Sequence, residues 1–149
     1  MRILVSACLL GLPVRYDGKS KPCERVISLL KRHTLIPVCP EQLGGLPTPR
    51  PRAEIRDGKV LNERGEDVTE HFERGARITL DIAKMLNVDL VIFKSRSPSC
   101  GVGKVYDGTF SGKLIDGNGI AADLLIKSGF EVLDEEDERL DSLHDGLGV

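Results

Sequence analysis

The sequence predicts an α/β fold: one domain, three layers deep, with a mostly parallel sheet between helices. Three observations predict it. Strand and helix patterns alternate along the chain in the order strand, helix, strand, helix, strand, helix, strand. The main strand runs, ILVSA, TLIPV and LVIFK, are short and dominated by apolar residues, as in a sheet buried on both faces. The length of 149 residues fits a single hydrophobic core.

Taken in order, Arg2 to Ala7 is the first strand, and a loop bearing Gly and Pro follows from Cys8 to Pro22. Cys23 to Arg32 reads as a helix with Val26, Leu29 and Leu30 on one face. Thr34 to Val38 is the second strand, with Pro37 near its end, where a missing donor does least harm. Cys39 to Arg52 is too rich in Pro and Gly for a regular helix or central strand, and so long a connection points to function. Ala53–Ile55 and Lys59–Leu61 flank Arg56-Asp57-Gly58 as a hairpin. The next helix runs to about Leu86. Asp67 or Thr69 caps it, Glu70 stands where a capping box with Asp67 needs it, and Phe72, Ala76, Leu80 and Ala83 form an apolar stripe widened by Ile82 and Met85. Leu90 to Lys94 is the third buried strand, and a long loop follows from Ser95 to about Asn118. Gly119 to Ser128 is a helix of small residues, Glu131 to Leu133 a last short strand, and the charged tail from about residue 135 a loose terminal helix. The chain is therefore expected to be one domain over residues 1–149, Rossmann-like in layout, with its ligand site at the carboxyl ends of the strands.

Composition excludes several classes. Net charge is only −2, so no basic surplus points to a nucleic-acid polymer as partner. No run of about 18 apolar residues predicts a membrane span. The opening MRILVSACLLGLPV has the look of a short signal peptide, but it reads better as a buried strand, because Asp17, Lys19 and Lys21 follow at once. A cytoplasmic protein is expected, and its four cysteines are expected to be reduced, which favours metal ligation or thiol chemistry over a disulfide framework.

Three of those cysteines share a local setting. Cys8 ends ILVSAC, Cys39 ends LIPVC, and Cys100 follows LVIFK after a short turn. Each falls just beyond the carboxyl end of a predicted strand. If the strands are neighbours, the three thiols converge at one edge of the sheet. The spacings, 31 and 61 residues, match neither a zinc ribbon nor a ferredoxin run. The plainer reading is that each is a small buried hydrophobe, but three thiols at three strand ends make that a poor account of the set. Cys23 stands at a helix start and suits a fourth ligand or a resolving thiol; the reading preferred is a first-turn residue with no role.

The flanking residues add chemistry. Ser95 to Gly101 sets three hydroxyls and a cation beside Cys100. Glu41, two residues after Cys39, shares its side of an extended stretch and is a candidate acid or base; the bland alternative is a solvated carboxylate. His33, His71 and His144 fall on predicted helix surfaces or ends and are expected to be solvated.

The segments Val5-Ser-Ala-Cys8-Leu-Leu-Gly11, Arg15-Tyr-Asp-Gly18, Pro37-Val-Cys-Pro-Glu41, Gly44-Gly-Leu46 with Pro49-Arg50, and Lys94-Ser-Arg-Ser-Pro-Ser-Cys-Gly101 resemble the thiouracil desulfidase family, over Arg2 to about Asp134. The resemblance implies a 4Fe–4S cluster on Cys8, Cys39 and Cys100, with one iron lacking a protein ligand and free to take the substrate's sulfur. It implies removal of that sulfur as sulfide, without net redox change, and it matches Glu41 and Ser97 to the family's polar catalytic residues. The substrate implied is a small thiolated base or nucleotide. Arg50, Arg96 and Lys104 are candidates to hold a phosphate, against the plain alternative of solvated cations. Gly44, Gly45, Gly101 and Gly103 are expected to bring backbone N–H groups to the cluster sulfurs. A second subunit is a candidate roof over a site at the sheet edge, which makes a homodimer. The reading from another class is a metal- or cluster-binding redox sensor without turnover; an open coordination place and polar groups beside the thiols favour the enzyme.

Overall fold

The computed structural model describes residues 1–144; residues 145–149, the end of the predicted domain and its charged tail, lie outside the described residues. Strand β1 is Arg2–Ser6, and β2 is Thr34–Val38. Between them lie a 3-10 turn, Ala7–Leu10, and the short helix α1, Glu24–Ile27, prolonged by a 3-10 turn over Ser28–Lys31. Helix α2 is Pro40–Leu43, and the hairpin strands are β3, Ala53–Arg56, and β4, Lys59–Asn62. The long helix α3 is Thr69–Met85, followed by β5, Leu90–Phe93. Strands β6, Lys104–Tyr106, and β7, Leu114–Asp116, pair antiparallel. Helix α4 is Ile120–Lys127, β8 is Val132–Asp134 and α5 is Leu140–His144.

The central sheet is parallel, in the order β2-β1-β5-β8. Its side chains alternate between two cores. Leu4, Val91, Phe93 and Val132 pack with Ala76 and Ala83 of α3 and Ala121, Ala122 and Leu125 of α4. Ile3, Val5, Ile92 and Leu133 pack on the opposite face with Val26, Leu29, Leu140 and Leu143. Helix, sheet and helix form the three layers that the alternating pattern predicts.

Local details differ from the sequence reading for physical reasons. Over 28–31 the helix tightens to three residues per turn, which keeps Val26 and Leu29 in register and turns Leu30 outward, 57% exposed. Met85 lies roughly 220° round the helix axis from Phe72, and it is exposed rather than part of the stripe. No capping box forms: Val68 is the N-cap, and Asp67 instead accepts hydrogen bonds from the Thr69 backbone and hydroxyl. The segment after Cys39 does contain one helical turn, α2, because Pro40 occupies the first helical position, where its missing N–H costs nothing. The loop from Ser95 to Asn118 contains the β6–β7 hairpin, whose outer strand is exposed throughout and so carries no burial pattern to read.

Candidate active site

The strand order makes β2, β1 and β5 neighbours, and their carboxyl ends carry the three cysteines. Cys8 is in the 3-10 turn after β1, Cys39 joins β2 to α2, and Cys100 follows β5 by way of a turn. That turn is held by Ser97, whose Oγ accepts hydrogen bonds from the backbone N–H of Ser99 (3.1 Å) and of Cys100 (3.0 Å). All three cysteines line one cavity of about 220 Å³. Both tyrosines of the chain, Tyr16 and Tyr106, line it too.

The sulfurs are electrostatically close. Burial pushes the Cys100 thiol up to about 12, against hydroxyl hydrogen bonds from Ser6 and Ser99, and negative charge on Cys39 and Cys8 pushes it the same way as burial. Burial likewise raises Cys8 to about 11, opposed by the Lys94 and Arg15 cations and reinforced by Cys39. Cys39 is raised by burial, with backbone hydrogen bonding and Arg50 opposing. Three sulfurs that repel one another as thiolates are the donor set for a positive centre. Among the described residues no three His, Cys, Asp or Glu side chains are grouped to hold a single metal ion. Thiols distributed around a shared cavity fit an iron–sulfur cluster, in which different cysteines take different irons.

Glu41 lies in the first turn of α2 and is mostly buried, with both oxygens engaged. Arg50 Nε donates to Oε1 at 3.0 Å, and Ser99 Oγ donates to Oε2 at 2.9 Å. Arg50 is not a solvated cation: its side chain is 4% exposed. It spends all five of its N–H donors inside the protein, on Glu41, the Pro47 carbonyl, Thr48 Oγ1, the Val14 carbonyl and, at 3.9 Å, Cys39 Sγ. The phosphate role expected for it is thereby corrected, since no donor is left over. Lys104 pairs with Asp116 across the β6–β7 hairpin and does not line the cavity. Arg96 does line it, and its guanidinium contacts Glu136 at 3.5 Å on its exposed side.

Other expectations shift with the packing. Gly44 and Gly45 face His71 of α3, and none of Gly44, Gly45, Gly101 or Gly103 lines the cavity. His33 is buried, between the Met1 amino group and the Leu143 carbonyl, while His71 bonds the Gly44 carbonyl and His144 the Arg25 carbonyl. None of the three lines the cavity. Cys23 precedes α1, packs against the core on the α5 side and is not a lining residue.

The lining residues to which sequence reasoning gave no role include Ser6, Arg15, Tyr16, Lys94 and Tyr106. Lys94 closes β5 and is anchored by Glu135 at 3.2 Å. A signal for Lys94 and Ser6 existed in their position at the carboxyl ends of buried strands. Ser99 was one of three serines in a row of alternate residues, and nothing local distinguishes it from Ser97.

The family described as 2-thiouracil desulfurase matches residues 3–137. A Bacillus subtilis (strain 168) relative, named Uncharacterized protein YbbK, is 44% identical over 145 residues, covering 91% of this chain and 96% of its own. A solved structure named 4Fe-4S-dependent thiouracil desulfidase TudS superposes with a TM-score of 0.85 at 40% identity, covering 99% of this chain and 97% of that one. The fold, the cysteines at its strand ends and the extent of these matches agree: the chain belongs to the 2-thiouracil desulfurase family.

Proposed function

We propose that this protein is a 4Fe–4S-dependent desulfidase that hydrolyses the carbon–sulfur bond of a thiolated pyrimidine, as free base or nucleotide. The observation that carries the proposal is the convergence of Cys8, Cys39 and Cys100 on one cavity that Glu41 also lines. The name of the TudS neighbour supports the cofactor, and the family supports the substrate class. Cys8, Cys39 and Cys100 would hold the cluster, leaving one iron without a protein ligand. When bound, it supplies a soft Lewis acid with affinity for sulfur.

The chain's own residues do the rest. Water replaces sulfur at the ring carbon, the oxo base forms and hydrogen sulfide leaves, so no electron is gained or lost. Glu41 takes a proton from that water or returns one to the ring nitrogen. Tyr16 and Tyr106 provide aromatic wall for a flat base. Ser97 lines the cavity and serves the turn that carries Cys100, its oxygen accepting from two backbone N–H groups. Lys94 and Arg15 set positive charge at the cavity, where an anionic sulfur or a nucleotide phosphate gains most from it.

The test is anaerobic reconstitution with iron and sulfide, incubation with 2-thiouracil, 4-thiouracil or 4-thiouridine monophosphate, and measurement of released sulfide. Release that depends on the cluster is the expected result. A brown protein that turns over none of the three points to a sensor, and a colourless zinc protein rules out the cluster.

A further inference from the structure

We propose that Ser99 is the positioning residue for Glu41, fixing its carboxylate in one orientation at the cavity wall. The inference rests on the desulfidase reading only for the reaction Glu41 serves; the geometry stands by itself.

Each serine hydroxyl has a single proton, and that determines the direction of every bond in this corner. Ser97 Oγ receives two backbone N–H groups, so its own proton is free to be donated, and the neighbouring acceptor is Ser99 Oγ at 3.0 Å. The Ser99 proton has two takers, Glu41 Oε2 at 2.9 Å and Cys100 Sγ at 3.6 Å. A short bond to a carboxylate is the stronger, so Glu41 holds the proton and the sulfur is left the outer contact. The sequence of donors is therefore Ser97 to Ser99 to Glu41.

The opposite oxygen of Glu41 belongs to Arg50. Arg50 is itself anchored by the Pro47 and Val14 carbonyls, and Ser99, which is 2% exposed, is itself anchored by Ser97. Glu41 thus sits between two partners, neither of which can follow it if it turns. The Ser99–Glu41 bond also spans 58 residues of chain and ties the loop of Cys39 to the loop of Cys100. Its hydroxyl, unlike that of Ser97, can be removed without orphaning a backbone donor of the Cys100 turn. The two serines consequently divide the labour: Ser97 holds the turn and Ser99 aims the carboxylate.

The experiment compares wild type, Ser99→Ala, Glu41→Gln and the double variant, each reconstituted without oxygen. Ser99→Ala is expected to load as much iron as wild type, with the same visible spectrum. Its kcat should fall roughly 10- to 100-fold, with KM within about threefold. Added to Glu41→Gln, it should cost no more than about twofold further, because a residue acting through Glu41 has nothing left to act on. Crystals of Ser99→Ala should show the carboxylate rotated away from its wild-type position or split between conformers. An unchanged kcat, losses that multiply in the double variant, lost iron, or an unmoved Glu41 would each overturn the proposal. If loaded wild type releases no sulfide from any thiolated base, the desulfidase reading fails, and the crystallographic comparison still decides the role of Ser99.

Discussion

Gly75 of α3 lies so close to Pro40 of α2 that a Cβ built on it would stand 1.9 Å from the Pro40 carbonyl oxygen, and one built on Gly44 would stand 1.9 Å from the His71 carbonyl oxygen. The two helices meet backbone to backbone, and His71 Nδ1–H seals the contact by donating to the Gly44 carbonyl at 2.8 Å. This matters for the site because α2 is a single turn with no packing face of its own to spare, yet it carries Glu41 and follows Cys39 directly. The long helix is the platform on which both are held.

Gly75→Ala should therefore do more than crowd a helix. Side chain against backbone has no soft route of escape, so α2 must lift. We expect a loss of about 1–3 kcal/mol or more in folding stability, seen as a lower thermal midpoint, together with weaker iron loading measured by iron content after reconstitution.

Replacing Cys8, Cys39 or Cys100 singly with Ser should abolish the visible absorption of the reconstituted protein and its sulfide release. Cys23→Ser should preserve both within about twofold, since Cys23 does not line the cavity. Loss of colour in Cys23→Ser would place it among the ligands.

Arg50→Lys keeps the charge and loses the fork. An ammonium has three donors where the guanidinium uses five, so Glu41, the Pro47 carbonyl, Thr48 Oγ1 and the Val14 carbonyl cannot all be served. Leaving polar groups unpaired around a buried carboxylate should cost about 3 kcal/mol, read as a lowered urea midpoint. Sulfide release should fall with it, because one of the two restraints on Glu41 is gone.

Asp134, at the end of β8, has its carboxyl pushed above the usual range by burial, and the charges of Glu135, Glu136 and Asp137 push the same way. As pH rises through the acid range, the unfolded chain gives up this proton before the folded one, so ionisation of Asp134 weakens the fold. Asp134→Asn should raise the thermal midpoint at neutral pH. The gain should shrink towards nothing as the pH is lowered to where Asp134 is protonated in both states. A gain that does not vary with pH would show that the ionisation of Asp134 is not its source.

What the sequence determined by itself was local and periodic. Apolar runs of four or five residues marked β1, β2 and β5, and the position of Cys8, Cys39 and Cys100 just after them was visible because a strand's end is announced by its own neighbours. Phe72, Ala76 and Ala83 could be assigned to one buried face for the same reason; Leu30 could not, because a tightened turn decides its exposure, whereas Met85, roughly 220° from Phe72, falls off the stripe by helical phase alone.

Only the tertiary structure decided which polar groups meet. Arg50 looks in the sequence like any loop cation, and it is buried because the Gly- and Pro-rich segment folds back to bring its guanidinium between Glu41 and the Val14 carbonyl. Ser97 and Ser99 are chemically identical and two residues apart, yet only Ser99 reaches Glu41, 58 residues away in the chain. Such encounters depend on strand order and on the seating of α2 against α3. Periodicity carries no information about either, since it records how a segment faces its core and not which distant side chain waits on the other side.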